Sequence, residues 1–130
     1  MNANRLLTGR SLLALLAPLA LCALFLAAAP AALAETLFLK DIDDVPLAEG
    51  LVEDRSAALV FNKPAGRIVE AEAAGTLPLE EVRGFYGTTL PQLGWQAGGR
   101  DSYTRGDEQL TLSYSREGDR LVVHFTLQPQ

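Results

Sequence analysis

Apolar and polar residues alternate with a period of two through the C-terminal third of the chain, which is typical of strands with one buried face. Gly106-Asp107 and Gly118-Asp119 each place glycine first in a two-residue turn, the type II′ signature. A turn at Gly118-Asp119 pairs residues whose numbers sum to 237. This register sets apolar side chains opposite each other on one face: Leu110 with Leu127, Leu112 with Phe125 and Tyr114 with Val123. The turn at Gly106-Asp107 pairs Tyr103 with Leu110, so both hairpins share that face.

Two further strands and one helix are predicted upstream. Residues 57–61 and 67–74 are short runs separated by the turn sequence Asn-Lys-Pro-Ala-Gly. Residues 76–93 begin with a proline near the first turn and end before the cap residue Gly94. Their apolar residues recur with a period near 3.6, at Val82, Phe85, Tyr86, Leu90 and Leu93.

These elements predict an α+β fold, with an antiparallel sheet of about five strands and one amphipathic helix packed on its apolar face, in the order β-β-α-β-β-β. Residues 35–56 are acidic and are predicted to form an irregular lead-in that packs Leu37, Leu39, Leu47 and Leu51 on this domain. The chain therefore divides into residues 1–34, 35–56 and 57–130. The predicted core consists of Phe61, Val82, Phe85, Tyr86, Leu93, Trp95, Leu112, Tyr114, Val123 and Phe125.

The first 34 residues have the pattern of a secretory signal peptide. A short basic segment precedes 24 uncharged, mostly Leu and Ala residues, which end in an A-x-A site before Glu35. Cleavage is expected between Ala34 and Glu35, and it gives an exported, periplasmic protein. A retained N-terminal anchor stays open, because 24 uncharged residues are enough to span a bilayer. Lipidation at Cys22 is not expected, because the bulky Leu21 stands where a small residue is needed.

Charge and composition limit the classes of partner that residues 35–130 are expected to bind. Residues 35–130 contain 16 acidic and 9 basic side chains, a formal net charge of −7. This balance disfavours nucleic acid and anionic membrane surfaces, so membrane contact is expected only through an uncleaved N-terminal segment. The segment has no cysteine and therefore no disulfide. It has no nucleotide, zinc or nucleophile-elbow motif, and no cofactor or metal is predicted.

Ser113 and His124 are the weak catalytic candidates. They oppose each other across the predicted last hairpin, within reach of a hydrogen bond, and His124 is the single histidine of the chain. A hydrolase also needs an orienting acid and an oxyanion site, which a flat polar sheet face does not supply. The sequence therefore favours an exposed polar pair.

Two charged groups are candidates for binding. Lys63 and Arg67 flank the first turn and can clamp an anion. Asp41, Asp43 and Asp44 offer carboxylates to Ca²⁺, but the chain lacks the ligand spacing of a calcium loop. Ordinary hairpin charges and a solvated acidic segment explain both groups.

The predicted junction between the helix and the following strand resembles a sequence found in other proteins. Phe85-Tyr86, followed by the sequence Thr-Leu-Pro-Gln-Leu-Gly-Trp at residues 89–95, resembles the helix-to-strand junction of uncharacterised small exported bacterial envelope proteins with a ββ-α-ββ layout. Residues 66–71 resemble the strand before that helix. The resemblance covers about residues 57–128 and implies the fold, with no catalytic residue to transfer.

Together, these observations predict a small exported accessory or protein-binding module of the cell envelope, with another envelope protein as its partner. Its working surface is expected to be the polar outer sheet face or the acidic lead-in. Two alternatives stay open: a small hydrolase that uses Ser113 and His124, and a membrane-tethered subunit that keeps residues 1–34.

Overall fold

The computed structural model describes residues 35–130. These residues form an α+β structure with a seven-stranded antiparallel sheet and one helix. The elements are β1 Val52–Glu53, a 3₁₀ turn Arg55–Ala57, β2 Leu59–Lys63, β3 Gly66–Gly75, α1 Leu79–Gln92, β4 Gln96–Gly99, β5 Ser102–Arg105, β6 Glu108–Glu117 and β7 Arg120–Pro129. The predicted fold class is confirmed, but the strand count of about five is too low. The predicted signal peptide, residues 1–34, lies outside the described residues.

The sheet runs in the order β1, β3, β7, β6, β5, β4, and β2 pairs with the same edge of β3 as β1 does. Both predicted hairpin registers are confirmed, since Leu112 lies opposite Phe125 and Tyr103 opposite Leu110. The turn glycines Gly106 and Gly118 have φ of 59° and 65°, the positive value that a type II′ turn requires at its first position.

The extra strands have two origins. The predicted strand after the helix is split into β4 and β5, because a tight turn at Arg100-Asp101 reverses the chain. Asp101 adopts a left-handed φ of 58°, a conformation that aspartate tolerates better than most residues. The other addition is the two-residue strand β1 in the lead-in.

Helix α1 ends in a Schellman motif. Gly94 has a φ of 92°, the Trp95 amide donates to the Leu90 carbonyl (3.1 Å), and the Gly94 amide donates to the Pro91 carbonyl (3.3 Å). The turn points Trp95 into the core, where 1% of the side chain is exposed. The helix packs Val82, Tyr86 and Leu90 onto the sheet.

The lead-in contributes more to the core than its composition indicates. Its buried apolar residues include Leu39, Ile42, Val45, Ala48 and Leu51. Leu37, which was predicted to pack on the domain, is 58% exposed. The Tyr86 hydroxyl fixes the lead-in by donating to the Pro46 carbonyl (2.9 Å) and accepting from the Ala48 amide (3.3 Å).

The predicted core needs one clear correction. Phe61 is 48% exposed, because β2 is an edge strand whose five residues all face solvent. Phe85, Leu93 and Tyr114 are partly buried against the core, and the other predicted core residues are buried.

The two faces of the sheet differ in what packs against them. The inner face carries α1 and the lead-in residues of the core cluster. The register places alternate residues of β3, β6 and β7 on the opposite face, called here the outer face, where Ala74 and Val122 are the buried members. Its exposed or half-buried residues include Glu70, Glu72, Thr111, Ser113, Ser115, His124 and Thr126, with Leu59 and Phe61 at the β2 edge.

Within residues 35–130, no helix has the length and apolarity needed to cross a membrane.

Candidate functional site

A chain of polar side chains crosses three neighbouring strands on the outer face. His124 on β7 has its Nε2 atom 3.2 Å from the Ser115 hydroxyl on β6. Its Nδ1 atom is 3.3 Å from a carboxylate oxygen of Glu72 on β3. The registers explain this order, because β7 lies between β3 and β6 and sets His124 directly opposite Glu72.

His124 makes its side-chain contact with a different serine from the one that lies opposite it. Ser113 lies opposite His124 in the register, as predicted, but the imidazole bonds Ser115 instead. Ser115 is the diagonal neighbour two residues along β6, a distance that a long side chain such as histidine can bridge. The same diagonal rule applied to the sequence would have included Ser115.

The atom order resembles that of a hydrolytic triad, with the hydroxyl at Nε2 and the acid at Nδ1. The surroundings differ from those of such enzymes, because the His124 side chain is 43% exposed and the Glu72 side chain 29% exposed. The cavities of about 300 Å³ near Phe85 and near Arg67 are lined by other residues. The geometry therefore supplies a base and an orienting acid on an open surface.

Arg67, a candidate anion clamp, is directed at the lead-in. Its guanidinium is 3.5 Å from the Asp43 carboxylate and 3.8 Å from that of Glu108, and it donates to the Asp41 carbonyl (3.4 Å). Lys63 forms no ion pair among the described residues. The structure therefore pairs Arg67, from the predicted anion clamp, with Asp43, from the acidic group predicted for Ca²⁺.

Arg105 is a second clamp on the lead-in that the sequence did not reveal. Its guanidinium pairs with Asp44 (3.2 Å), donates to the carbonyls of Asp43 and Leu93 (both 3.3 Å), and stacks 4.3 Å from the Trp95 ring centroid. Two of the three acids proposed for Ca²⁺, Asp43 and Asp44, therefore have their carboxylates paired with arginines. Among residues 35–130, no three His, Cys, Asp or Glu side chains converge as a metal site.

Arg83 performs a similar structural role on α1. It contacts both carboxylate oxygens of Asp101 at 3.0–3.1 Å, pairs with Glu80 at 2.9 Å, and lies 5.1 Å from the Tyr114 ring centroid. The hydrogen bonds to Asp101 raise the pKa of the Arg83 guanidinium. These contacts fix the helix to the turn between β4 and β5.

Comparisons with protein-family models, curated proteins and solved structures find no match to this chain.

Proposed function

We propose that this protein is an exported accessory module of the bacterial cell envelope that binds another envelope protein through the outer face of its sheet. The observation that carries the proposal is that α1 and the lead-in pack on one face, while the other stays open with short polar side chains. The N-terminal sequence pattern supports export. The intact mass of the exported protein separates a cleaved module from a tethered subunit that keeps residues 1–34.

The contacts of the lead-in favour the outer face over the other surface that the sequence left open. Arg67 and Arg105 engage Asp43 and Asp44, and the apolar lead-in residues belong to the core. A partner that took this segment would have to break those contacts. The outer face needs no such rearrangement.

The shape and charge of the module indicate the class of partner. Small molecules are usually held in concave, mostly apolar pockets, whereas an open sheet face matches the broad surface of another protein. Residues 35–130 carry a formal charge of −7, which steers a basic partner surface toward the module.

We expect arginines on the outer face to abolish partner binding. In the variant Ser113→Arg with Thr126→Arg, bulk and positive charge oppose a basic partner, and recovery of the partner should fall at least about tenfold. The measurement is a crosslinked pull-down of the tagged protein from its own envelope, quantified by mass spectrometry. Thr88→Arg with Gln92→Arg is the matched control, because it adds the same charge on α1 away from the outer face.

Two results would contradict the proposal. Equal recovery from wild type, outer-face variant and helix variant would show that the outer face is not the binding surface. Recovery of no protein above background from wild type would remove the protein-binding function itself. Thermal unfolding of each variant excludes misfolding as the cause of a loss.

The Ser115–His124–Glu72 geometry favours a small hydrolase as the second candidate. In this reaction the Ser115 oxygen attacks an ester carbonyl, His124 takes the hydroxyl proton and passes it to the leaving alcohol, and water releases the acyl group. On this candidate, Ser115→Ala and His124→Ala each lower hydrolysis of an activated ester at least about 10²-fold, while Ser113→Ala preserves it. Equal rates in wild type and the three variants would eliminate the hydrolase.

A further inference from the structure

The edge strand β2 exposes an apolar surface beside the polar part of the outer face on which the proposed function rests. Leu59, Val60 and Phe61 are consecutive, and each is 48–49% exposed. They form half of the six large apolar residues that are exposed among residues 35–130. An uncovered apolar edge is a template for pairing with another strand, and native proteins usually protect it with charges, proline or a bulge. In β2 the only charge is Lys63, at the end of the strand.

Hairpin geometry determines which backbone groups are free at this edge. The β2–β3 turn has two residues, so its closing pair, Lys63 with Gly66, is hydrogen-bonded. Alternation then directs the amides and carbonyls of Phe61 and Leu59 toward β3, and those of Val60 and Asn62 away from it. None of the described turn and loop hydrogen bonds uses the backbone of Val60 or Asn62.

We infer that β2 pairs with β2 of a second copy of this chain, antiparallel about a two-fold axis at Val60. In this register Val60 faces its own equivalent in a hydrogen-bonded pair, and the Asn62 amide meets the Ala58 carbonyl of the other copy. Leu59 comes to lie opposite Phe61 of the other copy, on the outer face. The two sheets then continue as one.

We infer a second copy of this chain as the partner of β2 because the exposed residues of this strand are complementary to themselves. Leu59 lies beside Glu70 and Phe61 beside Ile68 in the β2–β3 register, so two-fold pairing gathers Leu59, Phe61 and Ile68 of both copies into one apolar cluster. Centring the axis on Phe61 would instead set Leu59 opposite the charged Lys63. The Val60 axis opposes apolar residues over positions 59–61, whereas an axis on Leu59 would set Lys63 opposite Arg55 of the other copy, two like charges.

The solution mass tests the interface. The exported protein should sediment at twice its chain mass, and Val60→Lys should return it to one chain mass at the same concentration. Val52→Lys is the matched control, since Val52 is a more exposed valine of β1 (71%) and lies outside the pairing. A wild type that stays at one chain mass up to concentrations of hundreds of micromolar, or a Val60→Lys variant that stays double, would overturn the inference.

Introduced thiols test the register. Because residues 35–130 contain no cysteine, a background of Cys22→Ser removes the only native thiol whether or not residues 1–34 are kept. A mixture of Leu59→Cys and Phe61→Cys copies should form a mixed disulfide, since facing non-hydrogen-bonded residues lie about 4.5 Å apart between Cα atoms. A mixture of Leu59→Cys with Lys63→Cys copies should crosslink at least tenfold more slowly, and the reverse preference would disprove the Val60 axis. These readouts do not depend on partner binding by the outer face, so each proposal can fail separately.

Discussion

Gly75→Ala is expected to destabilise the protein more than alanine at any other glycine of residues 35–130. An alanine Cβ at this position would lie 2.1 Å from the Gly50 carbonyl oxygen and 3.0 Å from its carbon. Both are backbone atoms of the lead-in, so no side-chain rotation relieves the overlap, and the lead-in must move away from the end of β3. We expect a loss on the order of 3 kcal/mol in the free energy of unfolding, the upper part of the range for overpacking. For a domain of this size the melting temperature should fall by roughly 15 °C.

Gly84→Ala is the matched control because it makes the same chemical change on α1. Apart from the adjacent residues and the backbone of the helix itself, no heavy atom lies within 4 Å of the added Cβ there. Alanine also favours a helix interior by about 0.8–1 kcal/mol over glycine. The two variants should therefore shift urea unfolding in opposite directions. Unchanged stability in Gly75→Ala would contradict the close packing of the lead-in on β3.

The C-terminal hairpins show how much of this fold local sequence can specify. Both turns place glycine first in a two-residue loop, and such a loop leaves one register for the strands that it joins. The alternation of Leu110, Leu112 and Tyr114 then chooses the buried face, since a shift by one residue would expose all of them. Register and face were therefore both predictable.

The lead-in was harder to predict because its pattern has neither helical nor strand period. Ile42 and Val45 are buried, yet they stand among aspartates in a segment whose composition indicates solvent exposure. The arginines that pair with Asp43 and Asp44 come from distant strands: Arg105 and Asp44 are 61 residues apart. Such pairs depend on the tertiary fold and leave no local signal.

The exposure of Phe61 and the hydrogen bond of Ser115 could not be predicted from the sequence either, and both follow from the position of a strand in the sheet. An apolar run such as that of β2 has the same appearance at the centre of a sheet or at its edge, and only the topology exposes Phe61. The register set Ser113 opposite His124, but the hydrogen bond depends on the direction of the imidazole, which reaches Ser115. Pairing can thus be predicted with more certainty than side-chain direction.

Tyr86→Phe is expected to lower the free energy of unfolding by about 2 kcal/mol. The change keeps the ring and its edge-to-face contacts with Phe85 and Phe125, at centroid distances of 5.0 and 5.5 Å. It removes the buried hydroxyl that bonds the Pro46 carbonyl and the Ala48 amide, and leaves both backbone groups without that partner. The cost is the desolvation of two unpaired polar groups, which chemical denaturation measures directly.

Tyr114→Phe is the control that isolates the hydrogen bonds from the loss of a hydroxyl. The Tyr114 hydroxyl is buried and has no hydrogen-bond partner among the described residues, so its removal should leave stability unchanged or raise it. A loss in Tyr114→Phe equal to that in Tyr86→Phe would contradict the role of the Tyr86 contacts in holding the lead-in.

The pH dependence of stability gives a second readout of the same contact. Burial raises the pKa of the Tyr86 hydroxyl well above its ordinary value near 10, so the folded state keeps this phenol neutral where the unfolded chain ionises it. Its contribution is therefore fully present below pH 10 and is lost as the pH rises further. Tyr86→Phe should lose less stability between pH 9 and 11 than wild type does. Burial also raises the pKa of the Tyr114 hydroxyl, so part of the decrease in stability with pH should remain in this variant. An alkaline slope identical in wild type and Tyr86→Phe would show that the Tyr86 hydroxyl is solvated, and that the lead-in is not fixed to the helix by this residue.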